Sequence, residues 1–517
     1  MRTFLSSALL VSTALALPQR RTSPINSTTC NGKTYEYLNF AGYGFTASNA
    51  RDKFGDTAGG IGSSAAFDPN SWMLHDNGSY TGLLYALPDR GWNTEGTLNF
   101  QPRYHKFQIV FSPKNTGPAP NLHLYYLDTV LFTTSSGIPF TGLDPNVLPP
   151  YLATSDGTTI PCATYTGDGF GGNGIGGSRP SLDSEGLVLM PDGTMFVSDE
   201  YGDYVYHFNS DGSLITAIPP PEVFIPMRNG SISFNANSPP RYDPDRATVP
   251  KNPKSGRANN QGFEGLTCSP DGRYLYALTQ SALIQDGGAE GDESRRWARL
   301  VRFDLSAAVN GVPPAVAQYV VPLPIFTDGN GELATAAQSE IHYISETQFL
   351  VLARDSGVGR GQDDTMSRYR HVDVFDISGA TDVNGEVSIA PGGNLTSGIK
   401  TATVCSFLDF NVNSELAKFG LHNGGDQDGG LLNEKWESIA LVPVNPKSQH
   451  GDTWSEKRNH SNDEYFLFSL SDNVFITQDG YMTGGELPYA DESGFDLLNQ
   501  VLVFKVKLPS GSNPLVG

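Results

Sequence analysis

One hairpin, written twice, limits what this chain can fold into. Ser184-Glu185-Gly186-Leu187 passes through Pro191-Asp192-Gly193 into Met195-Phe196-Val197-Ser198-Asp199-Glu200. Phe263-Glu264-Gly265-Leu266 passes through Pro270-Asp271-Gly272 into Tyr274-Leu275-Tyr276-Ala277. In both, Pro presets φ, Asp closes the turn through its side chain and Gly takes a left-handed φ, so an inner strand turns tightly into a return strand. Weaker copies start at Glu340 and Glu437, and an early copy without the Glu covers Ser64 to Asn70 and Leu83 to Leu87. Further strands follow the hairpins, at 204–208, 299–304, 371–376 and 500–506. Self-similarity of this kind is the mark of a repeat architecture.

Glu185 and Glu264 stand 79 positions apart, and Glu264 and Glu340 76. A common propeller blade repeats every ~40–50 residues, so each unit here carries long loops. The period predicts six blades, with the sixth drawn from 107–111 and 122–126. The expected fold class is all-β: a single six-bladed β-propeller with long loop insertions, closed by strands from both termini. A total of 57 Gly, 35 Pro, 28 Phe and 22 Tyr suits aromatic strands joined by turns.

The ends and the charge bound the setting. Met1-Arg2, an apolar run from Phe4 to Leu17 and the small-x-small triplet Ala14-Leu15-Ala16 read as a secretory signal peptide, taken as residues 1–16. Residues 17–31 form a segment in which Arg20-Arg21 is a dibasic trimming site, 32–508 the propeller domain and 509–517 a tail. Sequons at Asn26, Asn77, Asn229, Asn394 and Asn459 fit a secreted, extracellular glycoprotein. Cys30, Cys162, Cys268 and Cys405 form no CxxC pair and suit one or two disulfides, with the pairing open. With 34 basic and 55 acidic residues, a net charge of −21, the chain repels nucleic acid and anionic membrane surfaces and tolerates bound cations. Neither nucleic acid nor membrane is an expected partner.

The glutamates of the four units, Glu185, Glu264, Glu340 and Glu437, are candidate metal ligands. Carboxylates opening successive inner strands converge on the axis, and such a group is stable only if a cation neutralises it or some members hold protons. Calcium suits oxygen ligands outside the cell. The competing reading is that each Glu bonds backbone amides of the neighbouring blade and locks the ring. A second set stands where the return strands end: Asp199, Glu200, Arg354 and Asp355 as catalytic candidates, with Arg90 beside Asp89 as an anion-binding one. These residues are expected at the opposite mouth from Glu185 or in adjoining loops. Arg179 and Arg257, just ahead of the Glu185 and Glu264 units, are further substrate-binding candidates. The absence of GxSxG, HExxH and HxH disfavours a serine elbow and a zinc site.

Four strings, Asp183 to Leu187, Ser198 to Gly202, Gly262 to Leu266 and Lys435 to Ile439, resemble the phytase-like (esterase-like activity of phytase) family of secreted fungal and bacterial proteins. The likeness runs from about residue 35 to 507. It implies a propeller and calcium-assisted hydrolysis of an ester or phosphoester on a small-molecule or cell-wall-derived substrate. The alternatives are a non-catalytic extracellular propeller that binds a glycan or protein, and a sugar-lactone hydrolase.

Overall fold

The computed structural model describes residues 23–517 except 115, 118, 155–156, 290 and 447–462. The signal peptide, the dibasic site and Asn459 lie outside the described residues. Five sheets of four or more strands surround one axis. Blade one is built from Ser64–Phe67, Tyr80–Leu87, Arg103–Phe111 and Leu122–Leu131, with the short Met73–Leu74 paired to its second strand. Blade two holds Ser184–Leu189, Met195–Asp199, Val205–Phe208 and Leu214–Ile218. Blade three holds Phe263–Cys268, Tyr274–Thr279, Trp297–Asp304 and Ala315–Pro322. Blade four holds Ala337–Tyr343, Gln348–Arg354, Arg370–Asp376 and Thr403–Asp409.

Blade five closes the ring. Its inner edge is Lys435–Trp436 and Ala440–Pro443, followed outward by Glu464–Asp472 and Asn499–Lys507. The N-terminal strands Lys33–Thr46 and Asn26–Cys30 complete its outer side. Strand addition from both chain ends removes the seam that an open ring would leave. A disulfide between Cys30 and Cys405 ties this outermost strand to the outer strand of blade four, while Cys162 and Cys268 are free and buried.

The propeller therefore has five blades, not six. The segments expected to build a sixth, 107–111 and 122–126, are the third and fourth strands of blade one, paired to each other and to Tyr80–Leu87. The period misled because blade one begins its hairpin without a Glu and its loops are unequal in length. Packing gives the same count. Five large apolar clusters each fill one gap between blades, for example Phe67 and Leu84 against Phe466 and Val501, or Val188 and Phe196 against Leu275 and Val301. Sheets covered on both faces explain why the inner strands Ser184–Leu189 and Phe263–Cys268 are buried almost throughout rather than alternating.

The repeated Glu-Gly has a local cause. At Glu185 and Glu264 the pairing of inner and second strand slips, a bulge that re-aims the side chain. The following glycine lets adjacent inner strands approach near the axis. A Cβ on Gly186 would stand 2.4 Å from the Leu266 Cβ and 2.8 Å from the Glu264 carbonyl, and one on Gly265 would stand 2.8 Å from the Ile341 nitrogen.

The fold reaches past both ends of the 32–508 span. Strand Asn26–Cys30 belongs to blade five, and the chain returns to the axis at Leu515–Gly517. Gly517 and Leu441 exchange two backbone hydrogen bonds of 3.1 Å, and Leu515 N donates to the Tyr343 carbonyl. These residues line a small hollow with the inner strands, on the far side from the strand ends that carry Glu185 and Glu264.

Candidate functional site: an acidic channel mouth

The second set of residues lies on the same side as the glutamates, not at the opposite mouth. An antiparallel hairpin returns the end of its second strand to the start of its first: Asp199 faces Ser184, Arg354 faces Ala337 and Asp472 faces Lys435. The two expected rings are thus one cluster. Its centre is Asp183, Glu185 and Glu200, all buried, which each offer an oxygen within 4.8 Å of the other two.

The electrostatics divide this cluster into two halves. Burial, then the neighbouring Glu264 and Asp183, hold the Glu185 carboxyl well above the usual range. Burial and Asp183 push Glu200 up to about 8. Burial, then Glu200 and Glu437, raise Glu264 likewise. Glu264 receives a hydrogen bond from Gln280 Nε2 on Oε1, while its Oε2 and Glu200 Oε1 are buried without a hydrogen-bond partner. On the other side stands Glu437, bonded by Arg354 Nη2, with Lys435 Nζ 3.8 Å away. Burial acts to raise Glu437, but Lys435 and Arg354 outweigh it and keep this carboxyl below the ordinary range. Lys435 also lies 3.5 Å from Asp472, whose carboxyl burial lifts to about 8. Arg90 Nη1 stands 3.0 Å from Asp183 Oδ2. Beside it, Asp89 is raised by burial to about 6 and accepts from Gly91 N and Asn93 Nδ2.

Not every candidate reaches this centre with free atoms. Glu340 is locked between blades: Oε2 accepts from Ser64 Oγ at 2.6 Å, and Oε1 accepts from the amides of Leu266 and Ile341 at 2.9 Å. Ser64 Oγ in turn accepts from Leu187 N, so one carboxyl ties together four blades. The amide-locking role weighed above is therefore what surrounds Glu340. Asp199 accepts from the amides of Asp183, Tyr201 and Gly202 and shapes the loop that carries Glu200. Asp355 is filled by Ser367 Oγ and the amides of Arg368 and Tyr369. Arg257, fully buried, spends its guanidinium on the carbonyls of Tyr201, Phe234 and Ala258. Arg179 bonds Asn99 Oδ1 at 3.2 Å, in the hairpin formed by Cys162–Tyr165 and Gly177–Pro180. Asn77, Asn229 and Asn394 are exposed, as is Asn26 on the outer strand of blade five.

Residues 71–450 match the family described as "Phytase-like: Esterase-like activity of phytase". The chain belongs to this phytase-like family. A relative named "Uncharacterized secreted protein", from Arthroderma benhamiae, is 48% identical over 498 residues, 92% of this chain and 95% of its own length. Among solved structures, the PQQ-bound aldose sugar dehydrogenase of Streptomyces coelicolor is 12% identical, with a TM-score of 0.29 over 92% of this chain and 98% of its own. A luciferin-regenerating enzyme is 11% identical, with a TM-score of 0.28 over the same two shares.

Three residues of this site escaped the repeat reading, Asp183, Gln280 and Lys435, whereas Asp472 stands where the fifth unit's return strand ends, as the second set expects. Asp183 and Lys435 each precede a unit's Glu by the same two positions. That shared spacing was the available signal. Gln280 carries none, because its role is to hold Glu264, and that depends on the blade-three hairpin closing.

Proposed function

We propose that the protein is a secreted hydrolase of ester or phosphoester bonds whose reaction centre is the acidic channel mouth, where Asp183, Glu185 and Glu200 hold a calcium ion. One observation carries this reading: three buried carboxyls from one blade converge within 4.8 Å, with the Glu200 Oε1 beside them unpartnered. Carboxyl oxygens are the donor set a hard cation takes, and the unpartnered oxygen is what such an ion would satisfy. When bound, the ion supplies positive charge to the oxygen of the bond being broken.

The chain's own residues do the rest. Arg354 and Lys435, which flank Glu437, offset the negative charge that develops on the reacting ester or phosphoester. Glu264, steered by Gln280 and with its carboxyl raised by burial, donates a proton to the leaving oxygen while a water molecule adds to the carbonyl carbon or phosphorus and gives up a proton that restores Glu264. Secretion is supported by the leader at residues 1–16, by four exposed sequon asparagines and by the secreted relative. Among the described residues no helix is long and apolar enough to cross a membrane.

The test is an assay of the purified protein on nitrophenyl acetate, nitrophenyl phosphate and phytate. Turnover that chelator abolishes and calcium restores is expected. Glu200→Gln should lower the rate about 100-fold or more while leaving the melting temperature of the chelated protein unchanged or higher. Turnover insensitive to chelator, or none on any ester, would remove the reading.

A further inference from the structure

Beside the acidic mouth, between the loops of blades three and four, lies a cavity of about 470 Å³. It shares two side chains with the reaction centre, Gln280, which bonds Glu264, and Arg354, which bonds Glu437. A space of this size suits a ligand of one or two rings, since small-molecule sites span roughly 300–1,000 Å³.

The charges of its wall nearly cancel. Three arginines, Arg295, Arg354 and Arg368, stand against four aspartates. Each arginine already faces a carboxylate: Arg354 bonds Glu437, Arg368 lies 2.7 Å from Asp364 and Arg295 lies 3.5 Å from Asp292. A highly phosphorylated ring needs several uncommitted cations, because each phosphate is held by charge-assisted hydrogen bonds. This wall does not supply them. It offers instead three buried polar atoms without a hydrogen-bond partner, Ser281 Oγ, Arg295 Nε and Arg354 Nε, the first and last on residues only 2% and 6% exposed. The half-buried ring of Phe326 adds an apolar face. Paired donors and acceptors, single orphaned polar atoms and one aromatic face together match a hydroxyl-rich ring.

We infer that this cavity binds a neutral or singly charged polyol, a sugar-class ring, and not a polyphosphate. The inference deepens the proposed hydrolase and rests on that reading only for which end of the ligand reacts. The ring occupies the cavity, and its ester faces Glu264 and Arg354.

Binding of probes that cannot be turned over separates the two claims. Methyl glucoside, gluconate and sucrose octasulfate are titrated into the calcium-loaded full-length protein and followed by calorimetry and saturation-transfer NMR. The neutral and singly charged polyols are expected to bind, and the octasulfate to bind no more tightly than gluconate. Phe326→Ala and Ser281→Ala should each weaken polyol binding about fivefold, the effect of one lost contact, with melting curves reporting that both variants are folded. Tenfold tighter binding of the octasulfate, no binding of either polyol, or polyol binding indifferent to both substitutions would overturn the inference. Polyol binding without ester turnover would instead count against the hydrolase reading alone.

Discussion

Asp199 and Glu200 are neighbours with opposite duties. Asp199 spends both oxygens on three backbone amides, while Glu200 turns into the cluster with an unpartnered oxygen. Replacing Asp199 by Asn puts an NH₂ group where an acceptor is needed. The expected result is a loss of about 1–3 kcal/mol in urea unfolding, the cost of leaving buried donors unpaired. Activity per folded molecule should fall less than in Glu200→Gln. The same contrast separates Glu340, which is locked by Ser64 and two amides, from Glu185, which faces other carboxyls. Four glutamates that look equivalent along the chain thus divide into at least two kinds once their partners are known.

At the scale of elements, the five hairpins place the site and the closing strands hold it. The Pro-Asp-Gly turns work as their residue types require: Gly193 and Gly272 take φ of +86° and +68°, and Asp192 Oδ1 accepts from Thr194 N at 3.0 Å. Closure depends on long-range pairing, because Lys33–Thr46 finds Asn499–Lys507 at the other end of the chain. The disulfide from Cys30 to Cys405 spans 375 residues and pins that closure to blade four. Replacing both cysteines by serine should cost about 2–5 kcal/mol in equilibrium unfolding. The first response should be faster hydrogen exchange in Asn26–Cys30 and Thr403–Asp409. An unchanged unfolding midpoint would show that the two edges are held by packing alone.

The whole molecule pays for its site in charge. Folding raises Glu200 to about 8, and Glu185 and Glu264 well above normal, so the folded state keeps protons that the unfolded chain loses above about pH 4.5. Proton binding that favours the folded form makes stability fall as pH rises through this window. The metal-free protein should therefore melt at lower temperature at pH 8 than at pH 5. A cation that takes the place of those protons should reverse the trend, so added calcium should raise the melting temperature more at pH 8 than at pH 5. Differential scanning calorimetry with and without chelator at both pH values reads this directly; an equal calcium effect at the two would argue against a site among these carboxyls.

Local chemistry made the repeat legible: turn residues, a Glu-Gly bulge and strand patterns act over a few positions, so they can be read from the chain alone. They carry the all-β class, the propeller, the family and the residues Glu185, Glu200, Glu264, Arg354 and Glu437 that meet at the mouth. Three matters waited for the folded molecule. The number of blades depends on which strands pair, and Arg103–Phe111 joined blade one rather than founding a sixth. The merging of two expected rings into one follows from antiparallel return. The division of carboxyls into locked and unpartnered ones depends on amides and hydroxyls that arrive from other blades, as Ser64 does at Glu340 across 276 positions. Distance along a chain says nothing about such partners, because burial and pairing are properties of the closed ring.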